Sequence, residues 1–204
     1  MKYQINMDLK NYEDALIEVS KGGETYFDKS LELINKYTLY EKALSLFKDN
    51  DALFSQVCYH HGEYLSGKKS YVEAGYAYLR GKNNEKALKN FIDAGAVNEI
   101  TSLMKRMKYT NEKIITDLLE VIDVCTAAGK GSEVEHLVSY LRGKEFFEES
   151  LELQSKLMDS LIRLKKWKLA YLFYFETTFP SVREEFNTGM SLTANLKINE
   201  FKKN

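Results

Sequence analysis

Tyr40-Glu41-Lys42-Ala43-Leu44 decides the fold, because it is one of a series. The pattern also stands at Tyr12-Glu13-Asp14-Ala15-Leu16, Tyr71-Val72-Glu73-Ala74-Gly75 and Asn84-Glu85-Lys86-Ala87-Leu88. A weaker copy is Trp167-Lys168-Leu169-Ala170-Tyr171. The first three copies lie roughly 30 residues apart, the period of helix-pair solenoids. Alanine is small, so a neighbouring helix can approach closely at Ala15, Ala43, Ala74 and Ala87. In three of these copies the residue three positions earlier is aromatic (Tyr12, Tyr40 and Tyr71), lies one turn back on the same face and fills the adjoining gap. A single amphipathic helix pair cannot bury its apolar face alone and must stack on the next.

Outward from these copies, apolar residues keep helical spacing, as in Leu31, Ile34 and Tyr37, or Ala87, Leu88, Phe91 and Ile92. Turn signals fall at Gly22-Gly23, Asp49-Asn50-Asp51, Ser66-Gly67, Arg80-Gly81, Gly95, Gly129 to Gly131, and Gly143. The intervening segments have helical length, strand-like alternation is absent, and the one proline is Pro180. The expectation is an all-α, tetratricopeptide-like helical-repeat solenoid, an α-α superhelix of about eleven helices. It is one domain over 1–204, with clear repeats over 10–107 and a divergent C-terminal part over 130–204.

The chain has 204 residues, 44% of them hydrophobic, enough for a sizeable core. A formal net charge of -1 excludes a polybasic nucleic-acid glue, so any RNA contact must come from local patches. Cys58 and Cys125 are far apart and read as reduced core residues of a cytoplasmic protein. Met1 to Asn6 lacks the apolar run of a signal peptide. The most apolar stretch, Leu169 to Phe175, is too short to span a bilayer, so no membrane partner is expected.

Chemistry-bearing patterns are weak. Cys58, His60 and His61 hint at a metal, but adjacent helical residues point about 100° apart and no second cluster exists. His136 is isolated. Gly129-Lys130-Gly131-Ser132 resembles the end of a phosphate loop without its first glycine or a preceding strand. The expectation is a protein that is not an enzyme, with no catalytic residue, metal or cofactor.

Cations gather at the turns: Lys68 and Lys69 after Gly67, Lys82 after Gly81, Lys130 after Gly129, and Arg142 and Lys144 around Gly143. One reading is local: glycine closes each helix in a left-handed conformation and the cation offsets the helix dipole. The other is a row of basic tips that touch successive phosphates. A second patch joins Arg163, Lys165, Lys166, Trp167 and Lys168 to Tyr171, Phe173, Tyr174 and Phe175. It suits RNA, with cations on phosphate and rings on bases. It equally suits a helix with a buried aromatic face and snorkelling lysines. Lys105, Arg106 and Lys108 beside Tyr109 form a weaker candidate, and Lys202 and Lys203 close the RNA- or partner-binding set.

The ordered series Tyr12 to Leu16, Leu31-Glu32-Leu33-Ile34, Leu39 to Leu44, Tyr59-His60-His61-Gly62-Glu63-Tyr64-Leu65, Tyr71 to Gly75 and Asn84 to Leu88 carries a family likeness. It resembles the C-terminal tetratricopeptide-like solenoid of the largest Elongator subunit, the IKI3/IKAP family, over residues 12 to about 105. The resemblance implies a scaffold for transfer-RNA wobble-uridine modification, with catalysis in another subunit. The family's N-terminal propellers and strongly basic segment have no counterpart in these residues, which implies a fragment or a shortened stand-alone relative. The leading expectation is a binding scaffold of the tRNA and translation machinery. Its partners are protein complex subunits and/or ribosomal RNA, ribosomal proteins or tRNA. One alternative is a ribosome-bound factor that occupies a tRNA site and keeps ribosomes inactive. Another is a protein-protein adaptor solenoid.

Overall fold

The structure, a computed structural model, describes residues 2–107 and 109–193. Their regular elements are all helical: α1 (Lys2–Asp8), α2 (Tyr12–Ser20), a 3-10 turn (Gly23–Tyr26), α3 (Phe27–Tyr37), α4 (Tyr40–Leu46), α5 (Asp51–Gly67), α6 (Tyr71–Arg80) and α7 (Asn84–Ala94). There follow α8 (Val97–Arg106), α9 (Asn111–Ala127), α10 (Gly131–Leu141), α11 (Glu145–Glu148), α12 (Leu151–Arg163), α13 (Trp167–Glu176) and α14 (Pro180–Thr193). The all-α, tetratricopeptide-like expectation holds. The fourteen helices exceed the expected eleven because α1, α4 and α11 have only 7, 7 and 4 residues. Elements this short carry too little periodicity to be counted from sequence.

One turn geometry recurs. Lys10, Thr38, Lys69, Lys82, Gly95, Gly129, Gly143 and Lys165 have φ between 56° and 69°, and each stands two residues before a helix. In seven of the eight, the next residue donates its N–H to the carbonyl five residues back, at 2.8 to 3.0 Å: Asn11 to Asn6, Leu39 to Ile34, Ser70 to Leu65, Asn83 to Tyr78, Ala96 to Phe91, Lys130 to Cys125 and Lys166 to Leu161. This is the Schellman closure, which satisfies carbonyls the ending helix leaves orphaned. The repeat alanine then falls five residues after the left-handed one, at Ala15, Ala43, Ala74, Ala87 and Ala170, all fully buried.

Two expectations about these turns need correction. The left-handed residues of the first and second basic turns are Lys69 and Lys82, and neither Gly67 nor Gly81 takes that conformation. Gly67 is still helical, so the chain reverses two residues later. Gly81 is required by packing: a Cβ there would lie 2.9 Å from Cys58 Cβ and 3.1 Å from the Ser55 carbonyl.

The chain forms two compact units, Met1–Asn90 and Phe91–Asn204. In the first, Leu16, Ile34, Ala43, Leu44, Phe47 and Val57 share one core, drawn from α2 to α5. Leu16 and Leu44 occupy the position after the repeat alanine, so neighbouring helices cover that position. Lys86 braces the same unit, donating to Tyr59 Oη at 2.7 Å and to Glu63, which also accepts from Tyr78 Oη at 2.8 Å. In the second unit α12 packs against α9, α10, α13 and α14, and buries Leu153, Leu157, Met158 and Leu161. Side-chain caps open three helices: Asn50 accepts from the Leu53 N–H, Thr110 from Lys113 and Ser150 from Leu153.

Candidate interaction site

The residues of the basic-aromatic candidate stand around the turn from α12 to α13, with Phe173 buried. Lys165 takes the left-handed position, Lys166 closes the Schellman bond, and Trp167 opens α13. This geometry sets Lys165, Lys166, Trp167 and Lys168 along one side of a groove of about 520 Å³, which also includes Leu169 and Leu172. Glu135 and Ser139 of α10 form the other side. Lys166 Nζ reaches Glu135 Oε1 at 2.9 Å. Its stem passes over Gly131, where a Cβ would come within 2.3 Å of Lys166 Cε. Gly131 is therefore a site of close approach, and any side chain there would push the lysine out of the groove.

Electrostatics divides the cations. Lys166 is paired with Glu135, Arg163 with Asp159 at 2.8 Å, and Arg142 with Glu176 at 2.9 Å. Lys165 and Lys168 are exposed and make no ion pair among the described residues. The first turn of α13 holds no acidic residue, so the positive end of its dipole adds to these two lysines. The helix is also apolar on its outer side: Tyr171, Leu172 and Phe175 are exposed. Tyr171 meets Phe175 edge to face at 5.0 Å, and Tyr174 packs 5.1 Å from Phe186 of α14.

The remaining candidates do not line this groove. Lys68 sits over the Tyr64 ring at 4.3 Å, Lys69 is an exposed left-handed residue, and Lys82 pairs with Asp51 at 2.7 Å. Lys130 donates to the Ala94 carbonyl, so its ammonium serves a neighbouring turn. Lys144 lies 5.6 Å and Lys105 5.7 Å from the Tyr140 ring centroid, while Arg106 is exposed. Lys108, Lys202 and Lys203 lie outside the described residues. Cys58 and Cys125 are buried free thiols, and burial pushes Cys125 up to about 11. His61 stacks on Tyr40 at 4.7 Å, and burial lowers its pKa.

Sequence reasoning missed Glu135, Ser139, Gly131 and Leu172. A usable signal existed for Glu135: it precedes Lys166 by one repeat period, as Asp51 precedes Lys82 by 31 residues. Opposite charges one repeat apart mark neighbouring helix pairs. A second groove, about 1170 Å³ between α12 and α14, has the opposite sign, with Glu152, Asp159, Glu184 and Glu185 on its walls.

The ELP1 TPR domain family matches residues 1–157. Putative elongator complex protein 1 of Xenopus laevis is 33% identical over 113 residues, 55% of this chain and 10% of the relative. Elongator complex protein 1 of Mus musculus is 31% identical over 113 residues, covering 55% and 8%. Its Drosophila melanogaster namesake is 26% identical over 87 residues, covering 43% and 7%. The matched stretch spans a tenth or less of each relative's length. The groove residues Lys165 to Leu172 lie beyond the family-matched segment.

Proposed function

The chain belongs to the ELP1 TPR domain family, and on that premise we propose that it is a non-catalytic helical-repeat scaffold of an elongator complex. The observation that carries this is the family match along 1–157, over residues whose turn-helix units bury every repeat alanine. Such units present faces for other proteins, and the relatives are named as elongator complex proteins. In this reading the chain works in the cytoplasm, within the machinery that modifies tRNA, and another subunit performs the reaction. No helix among the described residues is long and apolar enough to cross a membrane.

The pairing of Lys166, Arg163 and Arg142 with carboxylates favours protein partners over direct RNA contact at the α13 patch. RNA affinity scales with the phosphates a surface can neutralise, and paired cations must first break a bond they already hold. No described feature favours the ribosome-bound alternative.

Affinity purification of the tagged chain from its own cells, followed by mass spectrometry, tests the proposal. The expected result is recovery of other Elongator subunits in near-stoichiometric amount. Recovery without them, together with sedimentation on ribosomes, would overturn it and transfer the chain to the ribosome-bound reading.

A further inference from the structure

The position after the repeat alanine is covered in the first unit and open in α13. Leu16, Leu44 and Leu88 are 0%, 4% and 3% exposed, whereas Tyr171 is 45% exposed. One turn later Ile92 of α7 is 2% exposed, and its counterpart in α13, Phe175, is 61%. Leu172 adds a further 44%. At about 100° per residue these three side chains fan across one outward face, with Lys168 at its centre. Three of the eight large hydrophobic residues exposed among the described residues thus share a single helix face.

We propose that this face of α13, with the adjoining groove against α10, docks an acidic amphipathic helix of a partner protein. The shape of the occupant follows from the repeat. Where Leu16 and Leu44 hold the equivalent position, residues of other helices, such as Ile34 of α3 and Val57 of α5, close over them. A helix is therefore what this surface is built to receive, with apolar residues at i, i+3, i+4 and i+7. The charge of the occupant follows from Lys165 and Lys168, which hold no carboxylate among the described residues, and from the acid-free first turn of α13. Carboxylates on the incoming helix meet these cations at the rim, while Tyr171, Leu172 and Phe175 supply the desolvated centre. RNA fits less well. A leucine offers a base nothing to stack on, and Tyr171 and Phe175 pack edge to face at 79° instead of forming parallel platforms. The apolar and cationic residues of the surface, Lys165 to Phe175, lie outside the family-matched residues, while Glu135 and Ser139 of the α10 wall lie within them, and nothing in the inference requires the elongator reading.

Trp167, the only tryptophan of the chain, lines the groove and reports its occupancy. The full chain is titrated with a synthetic peptide of about 18 residues, five helical turns, with leucine at the four anchor positions and glutamate on the opposite face. The controls are a scrambled peptide of the same composition, a version with lysine for glutamate, and oligouridine RNA. The expected result is a blue shift of Trp167 emission with the acidic amphipathic peptide and weak responses to the controls. Leu172→Asp and Phe175→Ser each weaken binding by roughly tenfold or more, the loss typical of an anchor in an interface centre. The double variant Lys165→Glu/Lys168→Glu transfers preference to the lysine peptide. Phe175 is exposed enough that its substitution leaves the fold intact, which circular dichroism verifies. No binding, equal binding of the scrambled peptide, or tighter binding of oligouridine would overturn the proposal. So would self-association of the chain that Leu172→Asp abolishes, because the face would then belong to a second copy.

Discussion

In α7 the residues one and five places after the repeat alanine, Leu88 and Ile92, are buried; in α13 the same places hold Tyr171 and Phe175, both exposed. Both helices follow a left-handed lysine, Lys82 or Lys165, and both bury their alanine completely, Ala87 or Ala170. Their outer positions diverge. Glu85 and Lys89 of α7 correspond to Lys168 and Leu172 of α13, so an acid becomes a cation and a cation becomes an apolar residue. The turn and the alanine set how a helix enters the stack and which face it turns inward. The other faces are free to vary, and in α13 they have become apolar and positive. A helix apolar on nearly all sides belongs in an interior, and α13 keeps part of that surface outside.

The comparison breaks most visibly by truncation. Leu88→Ala is expected to cost about 2–5 kcal/mol, the range for a buried leucine. Tyr171→Ala should cost under about 1 kcal/mol, because its ring is already half in water. Equal losses in urea unfolding would show that α13 is covered like α7 and remove the contrast. The shared part of the plan is tested by overpacking. Ala87→Leu and Ala170→Leu should each destabilise by about 1–3 kcal/mol. A tolerated Ala170→Leu would show that α13 does not follow the repeat. A smaller effect of opposite sign comes from the turns. Lys82→Gly and Lys165→Gly relieve a left-handed non-glycine residue and should be neutral or raise stability by about 0.5–1 kcal/mol. The surface pair Lys82–Asp51 is too exposed to offset this.

The smallest expected effect is a pH dependence confined to the first unit. Burial holds the folded pKa of His61 below its ordinary value, outweighing the nearby Glu41 carboxylate, which pulls it up. The unfolded chain therefore takes up a proton at His61 before the folded one does. This contribution to stability is complete above the unfolded pKa of about 6.5, declines as pH falls from there to the folded pKa, and is flat below it. His61→Phe keeps the stack on Tyr40 and should flatten the fall in urea midpoint between about pH 7 and 5.5. An unchanged slope would assign the acid sensitivity to other groups.

Much of this was legible in the residues. The Tyr-x-x-Ala-Leu copies located five fully buried alanines, and the glycine and lysine clusters marked real turns. The patch at Lys165 to Lys168 does line a groove. Other features were not legible. Glycine looked like the left-handed residue at positions 67 and 81, yet Lys69 and Lys82 take that conformation: Gly67 still belongs to α5, and Gly81 is held by its close contact with Cys58 and Ser55. Gly131 looked like part of a turn, and its role is to let the Lys166 stem pass.

Helix class, period and inward face are local properties, written in spacing of three to five residues, and the amino-acid order alone settled them for this chain. Whether a cation is paired, and whether an aromatic residue on the weak fifth copy is covered, depends on side chains brought in from one repeat away. Lys166 was neutralised by Glu135 and Tyr171 was left open only when α10, α12 and α14 took their places around α13. Burial and ion pairing are decided by what neighbouring helices supply, and that information lies outside the five-residue motif that builds each helix.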